Sequence, residues 1–434
     1  MSKIAKITAR EILDSRGEPT IEVDVVTDEG FFDRASVPSG ASKGQYEALE
    51  LRDNDPKRYQ GKGVLKAIYN VENIIQPKLL GMDPANQLEI DRTLIYLDNS
   101  PNKSKLGANA VLGTSLACAR AGAISYRYPL YQYLTRLTRP QPEIYDLPVP
   151  FMNVINGGIH AGYNLDVQEF MLIPLGASSF KEALRWGAEI FHNLGRLLKA
   201  KGYSANIGDE GGYTPHFEQN EKALAIIVEA ISQSGFVPGR DVFLGLDVAA
   251  SQFYSNGQYS IRIENKNLSS DQMIEYLKSL TEKYPIFSIE DGLSDDDWAG
   301  WTKLTSSLGL KIKIVGDDIF ATNLEKLNRG VQNQVANAVI IKPNQVGTLS
   351  ETIKTIKLTQ QSGYTMIISH RSGETEDTFI ADLAIGVGAF GIKAGGLCRS
   401  ERIAKYNQIL RIEEALGRKA NYGQKNQTNS LGYS

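Results

Sequence analysis

Between residues 149 and 393 the chain carries eight short β-rich runs, at about 149–154, 168–173, 243–247, 286–290, 312–316, 338–342, 365–369 and 390–393. Stretches of helical periodicity separate the later runs and are long enough to cross back over a sheet. Eight strands with helical crossovers predict a (β/α)8 barrel, whose site lies where the strands end and the following loops begin. Two connections break the repeat. The stretch 155–167 is too short and too glycine-rich for a crossover helix, so the first two strands are expected to be antiparallel. The next connection holds two helical patterns, around 178–201 and 218–235, with Gly208-Asp209-Glu210-Gly211-Gly212 between them. The expected order is ββαα(βα)6. Followed along the chain, the loops at 155–167 and 208–212 both reach the catalytic face.

Before the barrel, strand-like runs at about 4–9, 20–27 and 31–37 are separated by turn signals, and helical patterns follow near 62–76, 86–97 and 107–125. Strands and helices in separate blocks indicate a smaller α+β domain. The helix-resisting stretch Arg139-Pro140-Gln141-Pro142 reads as a linker, which divides the chain into 1–139 and 140–434.

Composition narrows the functional classes. With 42% hydrophobic and 22% charged residues, the chain matches ordinary globular proteins. Its 47 basic and 50 acidic residues leave a net charge of −3 without a basic block, so nucleic acid and anionic membrane are not expected partners. Two cysteines, Cys118 and Cys398, form neither a disulfide framework nor a zinc cluster and suit a reducing cytoplasm. No stretch reads as an export signal or a membrane span.

The final six strand candidates end on Asp247, Glu290, Asp317, Lys342, His370 and Lys393, all ionisable. One charged residue at a strand end commonly marks a solvated loop, but six in succession predict a ring at one barrel mouth. Asp247, Glu290 and Asp317 offer oxygen donors from neighbouring strands, which favours Mg2+ over zinc. Lys342 and Lys393 then face the metal. A cation and a second lysine nearby disfavour an ammonium, so a lowered lysine pKa and a role as base are expected. His370-Arg371-Ser372-Gly373 combines a guanidinium fork, a hydroxyl and backbone donors, a set suited to phosphate. The predicted catalytic face also gathers Asp209, Glu210, His160, Gln168 and Glu169. His192 lies within an amphipathic pattern and is assigned no role. Ser39-Gly40-Ala41-Ser42-Lys43-Gly44 has the composition of a spacer or of a lid.

In order along nearly the whole chain, DSRGEPTIEVDV, VPSGASKGQYEALELRD, MNVINGGIHAG, QEFMLIP, NIGDEGGYTP, SIEDG, VGDDIFATN, IIKPNQVGTLSET, ISHRSGETEDT and CRSERIAKYNQILRIEEALG closely resemble the enolases. The resemblance implies Mg2+-dependent dehydration of 2-phosphoglycerate to phosphoenolpyruvate, with two Mg2+ in each site. It further implies Asp247, Glu290 and Asp317 as ligands of the first ion and Ser42, on a closing lid, as ligand of the second. By the same likeness Lys342 is the base and Glu210 the protonated acid. His160, Gln168, Glu169, His370, Arg371, Ser372 and Lys393 are then substrate-binding, and the assembly is a homodimer or an octamer of dimers. Gly292 and Ala394 depart from the proline and threonine that the family often carries, and neither replaces a proposed catalytic group. Other enolase-superfamily enzymes act on unphosphorylated acids, and the loop at Arg371 and Ser372 argues against that alternative. A catalytically silent scaffold is the remaining one.

Overall fold

The structure is a computed structural model in which residues 2–40 and 46–423 are described. Strands β1 (Ile4–Leu13), β2 (Pro19–Thr27) and β3 (Phe32–Ser36) form the small antiparallel sheet in sequential order. The helix Ala108–Ser125 lies on it so closely that a Cβ on Gly113 would stand 2.8 Å from Val23 Cγ2. The expected helix near 62–76 runs instead through Leu65–Tyr69, Asn70–Ile75 and Gln76–Leu79, its middle part wound more widely as a π-helix. A further helix, Leu130–Thr138, packs beside the barrel helix Phe379–Val387. Leu130, Leu134 and Leu137 recur along it at helical spacing, a signal the sequence reading passed over.

The linker is less irregular than its prolines suggest. Strand β4 (Tyr145–Leu147) lies just after them and pairs in parallel with Ala420–Tyr422, beyond the barrel. This pairing spans some 275 residues of sequence and left no local trace.

The barrel closes from β5 (Val149–Asn156), β6 (Glu169–Ile173), β7 (Phe243–Asp247) and five later strands. Between β7 and the next barrel strand, a small antiparallel sheet of β8 (Tyr254–Ser255), β9 (Gln258–Ile261) and β10 (Lys266–Leu268) is inserted, which the sequence reading did not foresee. Strands β11 (Ile286–Glu290), β12 (Lys313–Gly316), β13 (Ala338–Ile341), β14 (Thr365–Ser369) and β15 (Gly391–Gly395) complete the ring. The pair β5–β6 is antiparallel, as is β6–β7, while the others run parallel. Helices Phe180–Ala200 and Asn220–Gln233 fill the long connection before β7.

Barrel strands are covered on both faces, hence their near-continuous apolar runs. Phe287 packs against Phe151, Phe243 and Phe390 near the amino ends of the parallel strands. That aromatic plug leaves the opposite mouth for polar groups.

The two parts of the chain are fastened by polar contacts. Ser39 and Gly373 exchange backbone hydrogen bonds of 2.7 and 2.8 Å. The helix Leu349–Gln361 receives two of its N-terminal caps from the first domain: Ser115 Oγ accepts from Leu349 N at 3.0 Å, and Asp91 Oδ2 accepts from Ser350 N at 2.8 Å. Asp91 is fully buried and also accepts from Gln87 and Ser115. Asp91→Ala would strand these buried donors, and a loss of about 2 kcal/mol is expected from equilibrium urea unfolding. An unchanged midpoint would show that the cap contributes nothing.

Candidate active site

Strand register assembles the site. Glu169 pairs with Asp247 across β6 and β7, Asp247 pairs with Glu290 across β7 and β11, and Lys393 pairs with Ser369. All of the side chains concerned therefore emerge at one mouth. Lys393 Nζ donates to Asp247 Oδ2 at 2.8 Å and Glu290 Oε1 at 3.0 Å, and it stands 3.2 Å from Glu169 Oε1. Lys342 follows β13 and forms an ion pair with Asp317, which follows β12. The same cavity is lined by His160, Gln168, Glu210, His370, Arg371 and Ser372. The structure thus brings together the sequence-derived site residues except Asp209, whose side chain is exposed outside this cavity, and Ser42, which lies outside the described residues.

The loop bearing Glu210 is held by the exit of the last barrel strand. Gly396 N donates to Glu210 O at 2.6 Å, and Arg399 Nε donates to Gly208 O at 2.9 Å. Gly211 adopts φ +90°, and a Cβ on Gly396 would collide with the Gly211 backbone, so glycines are required on both sides of this contact. Asn153 Nδ2 donates to Glu210 Oε2 at 3.3 Å, and His160 Nδ1 stands 3.3 Å from the same oxygen without hydrogen-bond geometry.

Electrostatics correct two expectations. Burial disfavours the Lys342 ammonium, but the adjacent Asp317 charge outweighs it, so the lysine pKa is raised and not lowered. Lys393 is raised well above the ordinary lysine range: burial opposes its charge, and Asp247, Glu169 and Glu290 together overcome that. Glu210, expected to be protonated, is shifted well below the usual carboxyl range, because the groups around it, His160 foremost, outweigh burial. Glu169 takes the opposite state, pushed well above the usual carboxyl range by burial and by the Glu210 charge. The two acids are thus shifted in opposite directions.

The donor set fits a hard cation. Asp247, Glu290 and Asp317 offer oxygen alone, and Glu290 is driven well above the ordinary range by burial and by Asp247. Glu169 Oε2 is buried without a hydrogen-bond partner. The most compact groups differ from the expected triad. His160, Glu169 and Glu210 each bring one ligand atom within 4.8 Å of the others, as do Asp291, Asp317 and Asp318. Lys393 bonds both Asp247 and Glu290, while Asp317 pairs with Lys342.

Sequence reasoning missed several groups here. Asp291 Oδ1 and Oδ2 accept from the backbone N–H groups of Asp317 and Asp318, each at 3.0 Å, and so fix the turn after β12. Gln345 Nε2 donates to Asp317 Oδ1 at 3.3 Å. Glu47, from the first domain, pairs with Arg371 Nη1 at 2.9 Å. Asp291 stands directly after Glu290, and that doubled acidic pair was the available signal. Glu47 and Gln345 carried none, because their roles depend on packing between distant segments.

A closed barrel that gathers carboxylates and lysines at its carboxyl mouth, under a smaller α+β domain, defines a barrel enzyme with acid–base chemistry. Residues 4–134 match the family model of the enolase N-terminal domain, and residues 144–431 that of the enolase C-terminal TIM barrel domain. The chain belongs to the enolase family and is a lyase of the enolase superfamily. No helix among the described residues is long and apolar enough to cross a membrane.

Proposed function

We propose that the protein catalyses the reversible dehydration of 2-phosphoglycerate to phosphoenolpyruvate, with Mg2+ as cofactor, in glycolysis and gluconeogenesis. The observation that carries this reading is one cavity lined by Lys342, the Glu169–Glu210 pair and the Arg371–Ser372 loop. A guanidinium and a hydroxyl at that loop suit a phosphate, which an unphosphorylated acid would leave unmatched. Lys342 Nζ takes the proton from C2, the carbon beside the substrate carboxylate. The carboxyl pair at Glu210 then assists departure of the C3 hydroxyl as water. Lys393 and Gln168 orient the substrate carboxylate, and Arg371 and Ser372 hold the phosphate. Asp247, Glu290 and Asp317 would hold Mg2+, which supplies Lewis-acid stabilisation of charge developing on the carboxylate. Ser42 is the proposed ligand of a second ion. A cytoplasmic homodimer, or an octamer built from dimers, is the proposed assembly.

The test mixes the protein with 2-phosphoglycerate, with and without Mg2+, and follows enol-ester absorbance. Formation that EDTA abolishes supports the reading, and inactivity in both arms overturns it. A second outcome concerns the ion itself. Glu290 sits above the ordinary carboxyl range and Lys393 is held charged, so an incoming cation must displace a proton or release an ammonium. Metal affinity is therefore expected to rise with pH, by up to about tenfold per unit for each proton displaced. Calorimetry in buffers of different ionisation enthalpy should record proton release, and a pH-independent affinity would contradict it.

A further inference from the structure

Arg402 touches neither expected metal ligand nor expected base, yet it joins the two loops of the site. It lies in the first turn of the helix Ser400–Leu416 and is completely buried. Its Nη1 donates to Arg371 O at 2.6 Å and contacts His370 Nδ1, while Nη2 donates to Ser372 O at 2.6 Å and Asp209 O at 3.3 Å. One guanidinium thus fixes the backbone on both sides of the cavity. Its position breaks a local preference, because cations are disfavoured near helix N-termini, and the preceding Arg399 takes a left-handed φ of 69°. Such local conflict is typical of sites retained for function.

The contact with His370 has a specific chemical consequence. A guanidinium has donors only and stays charged, so the ring nitrogen facing it must present a lone pair. Nδ1 of His370 therefore carries no proton, and neither the imidazolium nor the Nδ1–H tautomer is compatible with the contact. We propose that Arg402 is a positioning residue that fixes His370 as a neutral imidazole with its proton on Nε2, making it a hydrogen-bond donor to the substrate. This role rests on the reaction proposed above. It gives His370, which lines the cavity, the part of an oriented donor and not that of a titrating acid or base.

Nitrogen NMR of the full chain labelled with 15N-histidine tests the assignment, with the His370 signals identified by their loss in His370→Gln. At neutral pH the wild-type His370 is expected to show an unprotonated Nδ1 and a protonated Nε2. In Arg402→Met the acceptor signature of Nδ1 should give way to a mixture of tautomers. Turnover of 2-phosphoglycerate should fall about 100-fold in kcat through misplacement of the donor, with a smaller change in KM. A purely structural role would reduce the folded fraction and leave the His370 spectrum of that fraction unchanged. A protonated Nδ1 in the wild type overturns the proposal, whether or not the variant folds. The spectrum needs no substrate, so missing dehydratase activity would count against the reaction and not against the tautomer.

Discussion

Lys342→Ala is expected to slow exchange of the substrate C2 proton by about 10,000-fold, the upper end of what a positioned base contributes. Proton NMR of 2-phosphoglycerate in deuterated water reads this step directly. The amine is half-buried at the barrel mouth, and its contact with Asp317 places it beside the proposed cation ligands. The lysine pKa is raised in this arrangement, so activity requires Asp317 to be drawn to another positive partner before the amine can accept a proton. Removing the side chain leaves Asp317 with Gln345 alone among these partners, and a stability loss of about 3 kcal/mol should accompany the kinetic effect. Circular dichroism separates the two. Normal exchange in a folded variant would remove Lys342 as the base.

Glu210→Gln should divide the reaction differently. Exchange at C2 is expected to persist, while phosphoenolpyruvate formation falls by about 1,000-fold through loss of acid assistance. Glu210 is shifted below the ordinary carboxyl range and Glu169 above it. An amide cannot donate or relay a proton as a carboxyl does, yet it preserves the shape of the loop that Gly396 and Arg399 hold through backbone atoms. The expected signature is isotope incorporation without product. Equal loss of both steps would place Glu210 in proton abstraction or in the structural frame of the site.

Much of the site was legible because a barrel converts sequence order into spatial order. Asp247 and Glu290 end their strands, Asp317, Lys342 and His370 follow theirs at once, and Lys393 sits within the last. Parallel strands in register must then deliver these side chains to one mouth. The antiparallel start was legible too, since the glycine-rich stretch before Glu169 cannot house a crossover helix. Residues whose role comes from contact between distant segments were not legible. Asp91 reads as an ordinary helical aspartate until it caps a barrel helix, and β4 reads as a linker until it meets Ala420–Tyr422. Short elements such as β8, β9 and β10 carry too few residues for periodicity to register.

Residue type and spacing alone determined which strand-end groups meet, because strand alternation and connection length leave few ways to close eight strands. Protonation was decided only by the tertiary structure. Which way the Lys342, Glu169 and Glu210 equilibria shift, and which nitrogen of His370 faces a donor, depend on burial and on charges a few ångströms away. Those distances come from packing, and no local stretch of sequence encodes them.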